Sequence, residues 1–98
     1  MDLYKEKNGS TITVRIVGRI DTVTAPVLHQ ELSDCFSRCS KLILDFADVN
    51  YISSAGLRVL LLAQKNMNGN GILQLIHVNA DIMEIFETTA FSEFLFIA

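Results

Sequence analysis

Polar and apolar positions alternate from Ser10 to Ile20. Ile12, Val14, Ile16, Gly18 and Ile20 point one way, and Thr11, Thr13, Arg15, Val17 and Arg19 point the other. A period of two marks a strand with one strongly buried face. Upstream, Leu3 to Lys7 is a weaker strand candidate. Asn8-Gly9 lies between the two stretches and favours the positive φ angles of a tight hairpin turn. The first two strands are therefore expected to pair antiparallel.

The alternation breaks at Asp21-Thr22-Val23-Thr24. The only proline, Pro26, follows, where the first turn of a helix tolerates it. Thr22 or Thr24 can cap that helix. Ala25, Leu28, Leu32, Cys35 and Phe36 recur at helical spacing and predict an end near Arg38 to Ser40. Lys41 to Phe46 carries Leu42-Ile43-Leu44 and reads as a central strand covered on both faces. Ala47 to Ile52 reads as a loop.

A second helix is predicted from Ser54 to about Met67. Leu57, Leu60, Leu61 and Gln64 share one face, Val59, Leu62 and Ala63 widen it, and Arg58 and Lys65 mark the wet side. Asn68-Gly69-Asn70-Gly71 stops it. Ile72 to Val78 is a further strand. Asn79 caps a third helix with Asp81 in its first turn and Ile82, Ile85 and Phe86 facing inward. Thr88-Thr89-Ala90 ends it, and Glu93 to Ile97 is a last short strand.

This order is that of an α/β fold. The sheet is mixed but mostly parallel, with an antiparallel hairpin at its start and helices mainly on one face. The loops Asp21–Thr24 and Ala47–Ser53 both leave the C-terminal ends of parallel strands. They are expected side by side on one sheet edge, where α/β proteins commonly place their sites.

Composition narrows the function. A length of 98 residues is one domain, residues 1–98. Half the residues are apolar, so either the core is efficient or apolar surface meets a partner. Net charge is −3 and the basic residues are scattered, which argues against nucleic acid as a partner. No apolar run approaches the roughly 20 residues of a membrane span. Met1 to Lys7 lacks an apolar signal core. No membrane insertion is expected, and the expected compartment is the cytoplasm. Cys35 and Cys39, four apart, form no disulfide framework and have no nearby partners for a metal site, since His29 and His77 stand alone.

The predicted edge collects Asp21, Thr22, Thr24, Asp48, Asn50, Ser53 and Ser54. Neither loop holds a histidine to activate a serine. The chain also lacks the G-x-S-x-G elbow and the glycine-rich phosphate loop. The expectation is a protein that is not an enzyme and uses no cofactor. Serines at a helix start either cap the free backbone N–H groups or present a site that tolerates a phosphate. Gly56 in the first turn costs up to about 1 kcal/mol relative to alanine and therefore calls for close helix–strand packing. Arg58 lies four residues after Ser54, as a solvated charge, a partner contact or a pair for a phosphoserine.

These residues carry a resemblance. Gly18-Arg19-Ile20-Asp21 with Thr24-Ala25, then Leu44-Asp45-Phe46 with Val49 and Tyr51-Ile52-Ser53-Ser54-Ala55-Gly56-Leu57, resemble the STAS domain family, and more narrowly its stand-alone bacterial anti-sigma-factor antagonists. The likeness covers essentially the whole chain. It implies a partner-switching mechanism. Such proteins bind a serine-kinase anti-sigma factor of the histidine-kinase-like ATPase superfamily and so free the sigma factor. The kinase phosphorylates a serine at the start of the second helix and breaks the complex, and a metal-dependent serine phosphatase reverses the step. Aligned on Gly56, the family's Asp-Ser-Ser-Gly becomes Ser53-Ser54-Ala55-Gly56. The resemblance thus puts the phosphorylated serine at Ser54, with Ser53 ranked behind it as an acceptor. Asp21, Thr22, Thr24, Asp48, Ser53, Ala55, Gly56 and Arg58 become the expected partner-binding residues. The alternative is a constitutive STAS binding module of a transport or sensory complex, in which both serines only cap. A nucleotide-binding role ranks third.

Overall fold

The computed structural model describes residues 1–98. Its elements are β1 (Asp2–Asn8), β2 (Thr11–Ile20), α1 (Ala25–Ser33), β3 (Lys41–Ile52), α2 (Ser54–Met67), β4 (Ile72–Ile76), α3 (Ala80–Thr88), a 3-10 turn at Phe91–Glu93 and β5 (Phe96–Ile97). The five strands lie in chain order across one sheet. β1 and β2 are antiparallel, and every later pair is parallel. Gly9 makes the hairpin turn at a φ of 64°, which glycine adopts without steric cost.

The alternation in β2 does what its period requires. Ile12, Val14 and Ile16 are buried, as are Leu42, Leu44 and Phe46 of β3 and Leu73 and Leu75 of β4. Together with Leu28 and Leu32 of α1, Leu60 and Ala63 of α2, and Ile82 and Phe86 of α3 they form one core that contains no polar side chain. Phe46 and Phe86 meet there at 6.2 Å between ring centroids. The opposite face of the sheet is open and displays Tyr4, Arg15, Arg19 and Tyr51. β3 is therefore covered on one face, not two, and Ile43 is only half-buried.

The structure departs from the sequence reading at four element ends. α1 stops at Ser33, and turns carry Cys35 and Phe36 onto the core. The Asp34 N–H still donates to the Gln30 carbonyl at 3.3 Å, but the Cys35 N–H turns to the Leu32 carbonyl at 2.9 Å, the tighter three-residue spacing that ends the helix. β4 ends at Ile76 because His77 turns left-handed at a φ of 57°. β5 keeps only Phe96 and Ile97, since the preceding residues form the 3-10 turn.

The fourth departure matters most for the site. Ala47 to Ile52 is strand, not loop. The partners of β2 step from Arg15–Asp45 to Val17–Asp48 and from Gly18–Val49 to Arg19–Tyr51. At each step β3 spends one more residue than β2, as a β-bulge does. The buried positions accordingly fall at Phe46, Val49 and Ile52. A spacing of three hides the strand from any search for alternation.

Candidate functional site

The two sheet-edge segments meet through the backbone. The Ser53 N–H donates to the Ile20 carbonyl at 2.8 Å, which ties the start of α2 to the end of β2. The turn after Ile20 is built by its own side chains. Asp21 Oδ1 accepts the N–H groups of Val23 and Thr24, each at 3.0 Å. The Thr24 hydroxyl accepts the Asp21 N–H at 2.9 Å and lies 2.8 Å from the Arg19 carbonyl, to which it donates. Thr24 occupies the cap position of α1 but makes no side-chain cap, and Thr22 is simply exposed. The expected threonine cap is thus replaced by an aspartate-centred turn. The Thr24 N–H, more than the opposing effect of partial burial, holds the Asp21 carboxyl below its usual range, helped by Val23, the Thr24 hydroxyl and Arg19.

At the start of α2 the two serines divide their uses. Ser53 is the cap: its backbone is extended and its Oγ accepts the Gly56 N–H at 3.3 Å. Ser54 is the first helical residue, is exposed, and its hydroxyl has no hydrogen-bond partner within the protein. Gly56 is buried, and a Cβ there would lie 2.7 Å from side-chain atoms of both Ile20 and Ile52. The absent side chain lets α2 approach the ends of β2 and β3. Ala55 is half-buried beside it. Ser54, Ala55, Leu57, Arg58, Leu61 and Phe91 line a shallow open groove of about 410 Å³. Arg58 is exposed on its rim and forms no ion pair.

Not every expected site residue is at this edge. Asp48 lies within the extended β3 opposite Val17, five residues before Ser53, which is roughly 15 Å of strand. Its carboxylate accepts from Arg15 at 2.7 Å. That guanidinium also sits 4.6 Å from the centroid of the Tyr4 ring on the open face. The expectation that Asp48 shares a loop with Ser53 is corrected, because the segment it occupies pairs with β2. Asn50 is likewise a strand residue, lying between the partners of Gly18 and Arg19.

Other neighbours of the edge escaped the sequence reading. Arg19 stacks over Tyr51 at 4.4 Å from the ring centroid and lies 3.7 Å from the Asp21 carboxylate. Only the register of the bulged strand brings Arg19 opposite Tyr51. Phe91 reaches the groove from beyond α3. Asn79 caps α3 as expected, with its Oδ1 accepting the Ile82 N–H at 2.9 Å. Its Nδ2 also donates to the Val49 carbonyl at 3.0 Å and so ties α3 to the bulged part of β3.

Chemically, the edge offers a free hydroxyl on a helix N-terminus, an apolar groove and one unpaired cation. It provides Ser54 with no hydrogen-bonded base. No helix of the chain is long and apolar enough to cross a membrane.

The family model described as STAS domain matches residues 3–98. BtrV of Bordetella bronchiseptica, which bears the name of an anti-sigma factor antagonist, is 31% identical over 93 residues, spanning 93% of this chain and 80% of BtrV. The anti-sigma-B factor antagonist of Bacillus subtilis is 29% identical over 94 residues, spanning 95% of this chain and 86% of that protein. The Bacillus cell fate determinant SpoIIAA, solved in its phosphorylated form, has the same fold at a TM-score of 0.77 and 15% identity, over 99% of this chain and 91% of SpoIIAA.

Proposed function

The chain belongs to the STAS domain family, and from that premise we propose that it is an anti-sigma-factor antagonist that works by partner switching. In its unmodified form it binds a serine-kinase anti-sigma factor through the edge formed by the Asp21–Thr24 turn, the start of α2 and the groove beside it. The kinase phosphorylates Ser54 and the complex breaks. A metal-dependent serine phosphatase restores the binding form. The chain itself catalyses nothing in this cycle.

The observation that carries this reading is the division between the two serines. Ser53 is committed to the helix cap, while the Ser54 hydroxyl is exposed and unbonded at the mouth of the groove. A phosphate there adds a charge of about −1.5 to −2 at neutral pH. The helix N-terminus accepts that charge without refolding, so the fold stays and the surface changes. A partner packed on Ala55 and the groove would have to desolvate the phosphate, which is what releases it.

The test is phosphate transfer from ATP in an extract of the native cells, followed by mass analysis of Ser53 and Ser54. Incorporation into the wild type that is lost in Ser54→Ala and kept in Ser53→Ala is the expected result. Equal incorporation into wild type and Ser54→Ala would sink the site. Stable capture of a partner with no incorporation at either serine would point instead to a constitutive docking module.

A further inference from the structure

Resting on the reading of Ser54 as the modified residue, we propose that a phosphate on Ser54 captures Arg58 of the same helix, so that one modification both adds a negative charge to the groove and withdraws its cation. Ser54 and Arg58 are four residues apart on α2 and line the same groove. Side chains at that spacing are neighbours, about 5–6 Å apart at Cβ. Long helical side chains also lean toward the helix N-terminus, which directs Arg58 back over the turn that Ser54 opens.

Arg58 is the cation at this edge that is free to respond. Arg15 is held by Asp48, and Arg19 lies between Asp21 and the Tyr51 ring. Arg58 has no carboxylate partner, and the first turn of α2 contains no acid to compete for it. A guanidinium matches a phosphate with two parallel N–H donors, a stronger arrangement than a single neutral hydrogen bond. The other residues of the groove, Ala55, Leu57, Leu61 and Phe91, carry no charge that competes for the pair. Before modification, Arg58 on the groove rim is available to an acidic group of the partner. After modification it is paired within the helix.

The experiment installs phosphoserine at position 54 during synthesis of the chain, so that no kinase is needed, and follows the phosphate by phosphorus NMR across pH. A free phosphoserine has its second pKa near about 6. In the wild-type background the value is expected to be lower, and Arg58→Gln should raise it by about 0.5 unit or more, with Arg58→Lys in between. Arg58 is exposed, so both variants should keep the circular dichroism spectrum of the parent. Superimposable titrations for wild type and Arg58→Gln would overturn the capture, even if native extract phosphorylates Ser54. A shift with no phosphorylation in extract would instead remove the functional reading while leaving the pairing intact.

Discussion

Gly56 and Ile20 are in such close contact that a methyl group on Gly56 would lie 2.7 Å from the Ile20 Cγ2. The same methyl would lie 2.7 Å from Ile52 Cγ1. Both neighbours are β-branched and stiff at χ1, so neither yields cheaply. Gly56→Ala gains up to about 1 kcal/mol in helix propensity. Overpacking a dense site costs about 1–3 kcal/mol. We expect net destabilisation of about 1 kcal/mol, read as a lower urea midpoint at unchanged slope. Equal or higher stability would mean that α2 can move away from the sheet, and that the approach at Gly56 does not fix the position of Ser54.

The two serines should separate cleanly in stability. Ser53→Ala removes a cap and is expected to cost about 1 kcal/mol. Ser54→Ala removes an exposed hydroxyl with no partner and should stay within about 0.5 kcal/mol. Chemical denaturation of the two variants beside the wild type checks the order. A larger loss for Ser54→Ala would reverse the assignment of cap and free hydroxyl.

Acid should loosen the turn that faces this edge. The carboxyl of Asp21 is held below its ordinary value of 3.8 by the Thr24 N–H and its other donors. A carboxylate with a lowered folded-state pKa contributes stability that is fully present above the ordinary value and lost as pH falls through the folded-state value. We expect the wild-type melting temperature to fall as pH drops below about 4. Asp21→Asn keeps an acceptor oxygen in the turn but cannot titrate, so its acid-side slope should be shallower. Asp45, whose carboxyl is also lowered despite burial, through Ala47 N–H and His77, keeps part of the slope in that variant. Identical slopes for the two proteins would show that Asp21 contributes nothing to the acid response.

How much of this was legible follows the periodicities. The alternation in β2 sets its buried face. On α2 the spacing points Leu57, Leu60, Leu61 and Gln64 inward; Leu57 and Leu60 are buried, but Leu61 and Gln64 are only half-buried, while Val59 and Ala63, which widen that face, are buried. The Ser53-Ser54 pair announced a helix start. The sequence could not say which serine caps, because that depends on the extended backbone at Ser53 and the hydrogen bond from Ile20. The bulged half of β3 does not read as strand, because two extra residues turn an alternating pattern into buried positions at Phe46, Val49 and Ile52. The bulging moves Asp48 out of the predicted loop. It also hid the contact between Arg19 and Tyr51 and the link from Asn79 to Val49, which rest on the register of a strand that local spacing does not reveal.

The corrected place of Asp48 has a consequence for the switch. Its carboxylate belongs to the open face with Arg15 and Tyr4, while Ser54 begins a helix packed on the other face. The Arg15–Asp48 pair is about half exposed on both sides, at 45% and 47% of the side-chain surface, so solvent screens it and it contributes at most about 1 kcal/mol. Asp48→Asn should therefore change the urea midpoint only slightly. It should leave the rate of phosphate transfer to Ser54 in native extract within about twofold of wild type, because a screened charge more than a Debye length of about 10 Å away has little hold on the site. Substituting a groove residue, as in Leu61→Ala, should slow the same transfer more strongly. A tenfold loss for Asp48→Asn with Leu61→Ala unaffected would move the docking surface from the groove beside α2 to the open face of the sheet.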